Sequence, residues 1–340
     1  MKLKLLAILV LMPVAFFAQE STEEKKAFQF SGSIDVYYRA NLTAPNDENA
    51  IAPGTSFANL PGFSLGMGNI IASYEGKKVG FVADLVFGPR GTDAIFASPL
   101  YSATGNIVNQ LYAYWNVSEK VTLTMGNFNT FLGYEVISPV PNFNYSTSYL
   151  FSYGPFSHTG LKADIALSDD FSLILGVFND TDLTEFNPTG DYAAGAQLGY
   201  SDQYLNILFD PSFFEIDFTG GFDLSEKIFL GINAAYLSLE DDAGGFMGAA
   251  LYPQYTVSET FAIGLRGEYF VEDGNFGAIG SGVEDTSVIA ATLTGSITID
   301  NLIIKPELRI DNASDDSFID NDLAPTKNLS SFLLAAIYKF

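Results

Sequence analysis

The sequence predicts an all-β protein, a single transmembrane antiparallel β-barrel, and three observations favour this fold class. After residue 18 there is no run of about 18 apolar residues that could form a membrane-spanning helix. The composition is 14% aromatic with 31 glycines and only 16% charged residues, unlike a helical protein. Apolar and polar residues alternate along most of the chain, as in strands with one face in lipid and the other in water.

The first residues are typical of an export signal. Two lysines precede an apolar run at 5–17, and Ala18 stands before Gln19. We therefore predict a cleaved signal peptide at 1–18 and one barrel domain at 19–340, located in the bacterial outer membrane. The chain has no cysteine, which excludes disulfides, thiolate metal sites and lipid attachment at an N-terminal cysteine.

The alternation also predicts which side chains face the barrel interior. Along residues 28–42, Ile34 falls on one face and Asp35 and Arg39 on the other, and residues 305–311 carry a charge at every second position. Charges repeated in this way are costly to bury in an apolar core, so these faces are expected to be wet. The predicted pore-lining residues are Asp35, Arg39, Lys162, Asp164, Arg266, Glu268, Lys305, Glu307 and Arg309.

Turn signals between the strands set the strand count. The seven short polar turns lie at 75–78, 118–120, 168–170, 201–203, 225–227, 258–260 and 300–301. They alternate with eight other connections, most of them longer, at about 43–62, 89–106, 129–157, 181–190, 210–212, 240–245, 273–286 and 312–327. This arrangement requires about sixteen strands, with short periplasmic turns and long outer loops. If 210–212 is not a loop, the count falls to fourteen.

The longest connection, 130–157, differs in composition from the other long loops. It has one charged residue, Glu135, among eight aromatic residues, whereas most of the others are acidic. So much aromatic surface is unfavourable in water. We predict that this loop folds inward and narrows the lumen, with Glu135, Tyr145 and Tyr149 lining the constriction. The alternative is that it caps the barrel or packs against a neighbouring subunit.

The wall charges allow two interpretations. Charges on neighbouring strands would pair and brace the wall, or a positive stripe of arginine and lysine would tune ion selectivity. The stripe would consist of Arg39, Arg266, Lys305 and Arg309.

Composition and motifs exclude several function classes. The net charge of −24 disfavours nucleic acid as a partner and predicts acidic loops that attract cations at the rim. No run matches a calcium-binding loop, so no metal site is predicted. The single histidine, His158, lacks a nucleophile-elbow motif around it. We therefore expect neither an enzyme nor a cofactor.

The stretch 125–162 carries a series of short motifs. These residues are Gly126, Asn127, Phe128, Gly133, Tyr134, Glu135, Asn142, Asn144, Tyr145, Ser146, Gly154, Pro155, Phe156, His158, Thr159 and Gly160. With them, the mature chain resembles the outer-membrane β-barrel porins of Gram-negative bacteria.

The resemblance implies a passive diffusion channel for small hydrophilic solutes or ions. The expected partners are outer-membrane lipid and lipopolysaccharide, and sixteen strands are compatible with a homotrimer. The alternative is a non-conducting structural or adhesive barrel whose loops bind a partner.

Overall fold

The structure, a computed structural model, describes residues 28–95 and 107–340, and within them sixteen strands close into one antiparallel barrel. The barrel strands are β1 (Phe28–Asn41), β2 (Gly62–Glu75), β3 (Val79–Phe87), β4 (Val108–Asn116), β5 (Val121–Asn129), β6 (Ser157–Ala166), β7 (Phe171–Phe178), β8 (Ala193–Tyr200), β9 (Gln203–Phe209), β10 (Phe213–Ser225), β11 (Ile228–Leu239), β12 (Gly245–Ser258), β13 (Phe261–Asp273), β14 (Ser287–Ile299), β15 (Leu302–Ala313) and β18 (Asn328–Lys339). The predicted count of sixteen is confirmed.

The remaining elements are short and lie in the connections. They are the helices α1 (Pro89–Asp93) and α2 (Tyr149–Tyr153), a 3-10 turn at Glu240–Asp242, and a hairpin of β16 (Phe318–Ile319) with β17 (Pro325–Thr326). No helix within the described residues is both long enough and apolar enough to cross a membrane. The predicted signal peptide at 1–18 lies outside the described residues.

Short turns and long loops segregate to opposite ends of the barrel, which we call the short-turn end and the long-loop end. Each of the seven predicted short turns joins two paired strands, from β2–β3 to β14–β15. Residues 210–212 do form a tight connection, in which Asp210 N donates to Phe213 O at 2.8 Å. The fourteen-strand fallback is therefore not needed.

The two faces of the wall differ as the alternation predicts. On β1, Phe30 and Ile34 are 67% and 57% exposed on the outside, whereas Asp35 and Arg39 are each 2% exposed on the inside. An apolar outer face and a polar inner face are the pattern of a barrel embedded in lipid. The chain's last strand follows it too, with Tyr338 turned outward.

The barrel closes between its first and last strands. β18 pairs with both β15 and β1, with Ser33 opposite Lys339. Gly32 and Phe340 exchange two backbone hydrogen bonds, both of 3.0 Å. The sheet thus has no free edge, which removes the strand-pairing surface that open sheets expose.

Much of the hydrophobic core lies inside the barrel. Side chains of the loop between β5 and β6, such as Tyr149 and Leu150, pack on inward-facing residues of β12 and β13, such as Phe246 and Phe270. Tyr149 and Phe270 have their ring centroids 5.5 Å apart. The interior is therefore packed around an inserted loop, and that loop positions the site described next.

Candidate functional site

All nine predicted pore-lining residues lie on inward-facing positions of the wall. Seven of them, those on β1, β13 and β15, come together near the seam where the barrel closes. The other two, Lys162 and Asp164, are on β6, across the barrel. Eight of the nine are at most 8% exposed, and Asp164 is half-buried. The inner wall near the seam is thus charged but largely covered.

The cover is the loop 130–156, which we call the inserted loop. Its backbone N–H groups donate to carboxylates on several strands of the wall. These bonds run from Gly133 to Asp217 (3.0 Å), Tyr145 to Glu307 (2.9 Å), Tyr149 to Glu268 (3.1 Å) and Leu150 to Glu268 (2.9 Å). The Tyr145 hydroxyl also donates to Asp35. Because these acceptors lie on β1, β10, β13 and β15, the loop spans the interior of the barrel.

Wall cations bind the carbonyl groups of the same loop. Lys305 Nζ donates to Pro139 O at 3.0 Å, and Arg309 donates to Thr147 O at 2.8 Å. Backbone groups buried away from water must find partners, since an unpaired one costs about as much as a lost hydrogen bond. Here the alternating charges of the wall supply those partners in place of water.

The single charge of the inserted loop meets a fully buried arginine. Glu135 Oε1 lies 2.7 Å from Nη1 of Arg266, which is 0% exposed. The other carboxylate oxygen accepts bonds from Ser148 N at 2.8 Å and Ser148 Oγ at 2.5 Å. Arg266 also donates to Ser146 O at 2.6 Å and Thr147 O at 3.1 Å. This pair fastens the middle of the loop to β13.

The expectation that charges on neighbouring strands pair with each other is wrong for the described residues. Their other ion pairs are within a strand, Lys162 with Asp164 at 2.7 Å and Arg309 with Asp311 at 2.8 Å. Residues two apart on a strand share a face, so a long cation reaches the acid beside it. The loop backbone binds five of the nine predicted pore-lining charges, those of Arg266, Glu268, Lys305, Glu307 and Arg309.

Amides, rather than cations, connect acids to neighbouring strands, which the sequence analysis missed. Asp217 on β10 accepts from Asn206 on β9 at 2.6 Å and from Asn233 on β11 at 2.5 Å. Asp84 on β3 likewise accepts from Asn109 on β4 at 2.6 Å. An asparagine at an inward position beside an acidic strand was the available signal.

Tyr145 and Tyr149, expected to line a constriction, are both 0% exposed. Tyr145 packs on Tyr37, with ring centroids 5.7 Å apart, and the Arg309 guanidinium carbon lies 5.6 Å from the Tyr149 ring centre. Neither borders open space, because their rings fill the gap between loop and wall. Of the three predicted constriction residues, Glu135 borders a cavity.

Arg90 is a second residue that the sequence analysis missed. It lies in α1, is 3% exposed, and donates to Ile137 O at 2.8 Å and Tyr145 O at 3.1 Å. Its guanidinium carbon stands 4.6 Å from the ring centre of Phe57. The one hint in the sequence was that Arg90 and Lys327 are the only two cations in the eight predicted connections.

Two cavities border the inserted loop. The larger, of about 200 Å³, lies between the loop and β12 and is bordered by Tyr134, Phe143, Asn144, Tyr252 and Gln254, among others. The smaller, of about 10 Å³, lies beside Arg39 and Arg309, where a single water fits.

The single histidine of the chain has a structural role. His158 is fully buried, its Nε2 lies 2.9 Å from Thr130 Oγ1, and its ring stacks on Phe178 with centroids 4.7 Å apart. It therefore fastens the start of the inserted loop. Within 28–95 and 107–340, no three histidine or acidic side chains gather as metal ligands would.

Comparison with known proteins agrees with this architecture. A family model described as "Putative beta-barrel porin-2, OmpL-like" matches residues 27–340. No curated protein matches the chain in sequence. The outer membrane channel DcaP of Acinetobacter baumannii shares its fold, with 12% identity, a TM-score of 0.61, and coverage of 95% of this chain and 100% of that one.

Two further solved structures are similar in fold. The anion-selective porin from Comamonas acidovorans has 11% identity and a TM-score of 0.59, with 92% of this chain and 99% of that chain covered. The trimer form of OmpT from Vibrio cholerae has 11% identity and a TM-score of 0.57, again with coverage of 92% and 99%. Since the family model spans every residue that the structure describes, the chain belongs to the OmpL-like β-barrel porin-2 family.

Proposed function

We propose that this protein is a passive diffusion channel of the bacterial outer membrane for small hydrophilic solutes or ions. The observation that carries the proposal is a closed sixteen-stranded barrel with an apolar outside and a charged inside. A barrel of this strand number is wide enough to leave an aqueous passage beside one inserted loop.

The finer parts of the proposal follow from the same reasoning. The segment 1–18 directs export and is cleaved, and the outer rim contacts lipid and lipopolysaccharide. A homotrimer is supported by the strand number and by the trimer form of OmpT, a protein of similar fold. Glu135, Tyr145 and Tyr149 act by holding the inserted loop in place, and the loop sets the narrowest part of the lumen.

One observation favours a second candidate, a non-conducting barrel whose loops bind a partner. The inserted loop is tightly packed near the seam, where Tyr145 and Tyr149 are 0% exposed and the gap beside Arg39 holds about 10 Å³. A plug of this kind would block the barrel if it extended across the whole section.

Conductance in a planar lipid bilayer separates the two candidates. Folded protein, identified by a gel mobility that changes on boiling because a closed barrel resists detergent, is added to one chamber. Stepwise current increases are expected for the channel. A folded protein that inserts without current steps would refute the channel and leave the loop-binding barrel.

A further inference from the structure

We propose that the 200 Å³ cavity between the inserted loop and β12 is a binding subsite for a neutral ring-shaped polyhydroxyl solute, of the size of one monosaccharide. This inference rests on the proposed channel function, because the solute would meet the subsite during passage. The cavity has room for several waters, which one such solute would replace.

The cavity lies where a passing solute would reach it. β12 runs from Gly245 at the long-loop end to Ser258 at the short-turn end, so Tyr252 and Gln254 lie in its short-turn half. On the loop side, Val136 is 38% exposed. The cavity therefore opens to the short-turn half of the lumen and is not sealed within the loop packing.

Its aromatic walls are suited to the face of a sugar ring. Tyr134 and Phe143 offer ring faces at the border, and the buried Tyr252 supports Tyr134 from behind, with their ring centroids 4.3 Å apart. The faces of aromatic rings carry partial negative charge. They therefore attract the weakly positive C–H groups that cover the face of a sugar ring, while its hydroxyl groups point sideways to polar partners.

Two glycines of the wall hold these rings in position before a solute arrives. A Cβ at Gly231 on β11 would lie 2.2 Å from the Tyr134 hydroxyl oxygen, and a Cβ at Gly264 on β13 would lie 2.5 Å from a Phe143 ring carbon. No other residue type leaves this room. A pre-formed site loses less conformational entropy when it binds, which favours even small solutes.

Two amides at the cavity keep hydrogen-bonding capacity for a solute. Gln254 makes no side-chain hydrogen bond to another described residue, so its oxygen and nitrogen are both available. Asn144 donates its nitrogen to Thr294 Oγ1 at 2.7 Å, which leaves its oxygen as an acceptor. Together they offer the donor and acceptors that adjacent hydroxyl groups require.

The electrostatics select a neutral solute. Glu135 is the only carboxylate at the cavity, and its two oxygens are occupied by Arg266 at 2.7 Å and by Ser148 N at 2.8 Å. A charged solute would lose its hydration here without gaining a free counter-charge, which is unfavourable. A neutral polyhydroxyl solute loses hydration that the amides replace.

Single-channel recording with D-glucose, glucuronate and sorbitol tests the inference. Glucose should reduce the current in a saturable manner, whereas glucuronate has a charge and sorbitol lacks a ring, and both should bind at least tenfold more weakly. Gln254→Leu should weaken the glucose effect at least tenfold. Gln29→Leu is the matched control, because Gln29 is an exposed inward glutamine on β1, far from the cavity.

A binding measurement separates this inference from the proposed function. Saturation-transfer NMR with glucose and detergent-solubilised barrel should show contacts between the ring C–H protons and the protein, and Gln254→Leu should remove them. Contacts without any channel current would refute the channel but support the subsite. Normal current with no glucose effect and no contacts, or equal effects of all three solutes, would overturn the subsite.

Discussion

Arg266→Ala should release the inserted loop, because Arg266 is the central attachment of that loop to the wall. The arginine is 0% exposed, pairs with Glu135 at 2.7 Å, and donates to two loop carbonyls, of Ser146 and Thr147. Alanine would leave the Glu135 carboxylate buried without a counter-charge. The barrel itself should still form, since its strand pairing does not depend on this side chain.

The structure sets the size of the effect. Removing one partner of a buried ion pair costs about 3–5 kcal/mol. If that cost falls on loop docking, the ratio of docked to displaced loop falls by about 100-fold or more, at about 1.4 kcal/mol for each factor of ten. The displaced loop becomes accessible to protease and ceases to narrow the lumen.

The assay combines limited proteolysis with single-channel conductance of heat-modifiable, and therefore folded, barrels. Arg266→Ala should be cleaved within 130–156 about 100 times faster than the unchanged protein and should show a larger, noisier conductance. Lys162→Ala is the matched control, because it removes an ion pair of the same length that does not contact the loop. The double variant Glu135→Gln with Arg266→Met should recover part of the protection, since no charge is left unpaired. Cleavage and conductance of Arg266→Ala equal to those of the unchanged protein would refute the reasoning.

Deleting residues 143–153 should increase single-channel conductance in a folded barrel, and an unchanged conductance would mean that the loop only caps the barrel. Burial raises the pKa of the Asp182 carboxyl, which accepts from Phe156 N and Ser157 N, from 3.8 to about 7. The folded structure therefore favours the protonated form of Asp182. Protection of the Ser157 amide from hydrogen exchange, corrected for the intrinsic exchange rate, should fall as pH rises from 3.8 to about 7. Asp182→Asn should abolish this pH dependence. Reversal potentials at low salt should show a weak cation preference, because the net charge is −24. This preference should fade near 0.1 M salt, where the Debye length shortens to about 10 Å. Strong anion selectivity would instead favour the stripe of Arg39, Arg266, Lys305 and Arg309.

The barrel was predictable because most of its information is local. Each hairpin joins strands that follow each other in the chain, so turn residues and period-two alternation are enough to count them. Even the tight connection at 210–212 could be read from an aspartate, a proline and a serine between two apolar runs. The inward path of the inserted loop followed from one charge among eight aromatic residues.

The partners of that loop could not be predicted in the same way. Arg266 and Glu135 are 131 positions apart, and Tyr145 and Glu307 are 162 apart. Such contacts depend on the three-dimensional path of an irregular segment, which has no periodicity. The wall charges were therefore expected to pair with each other, although in the structure most of them bind loop backbone. The roles of Gly231 and Gly264 could not be predicted either. A missing side chain in the wall has a function only once it is known that the Tyr134 or Phe143 ring fills the space.

The seam between β1 and β18 has a consequence for how the barrel assembles. It is the one strand pairing of the barrel that joins distant parts of the chain, with positions 41 and 331 opposite each other. Closing a loop of this length costs roughly 3 kcal/mol more entropy than closing a hairpin of about a dozen residues. The fifteen other pairings can therefore form one after another along the chain. The β1–β18 pairing can form only when both ends of the curved sheet meet. Until then the nascent sheet has two bare edges inside a membrane, and an assembly factor that shields them would act at these two strands.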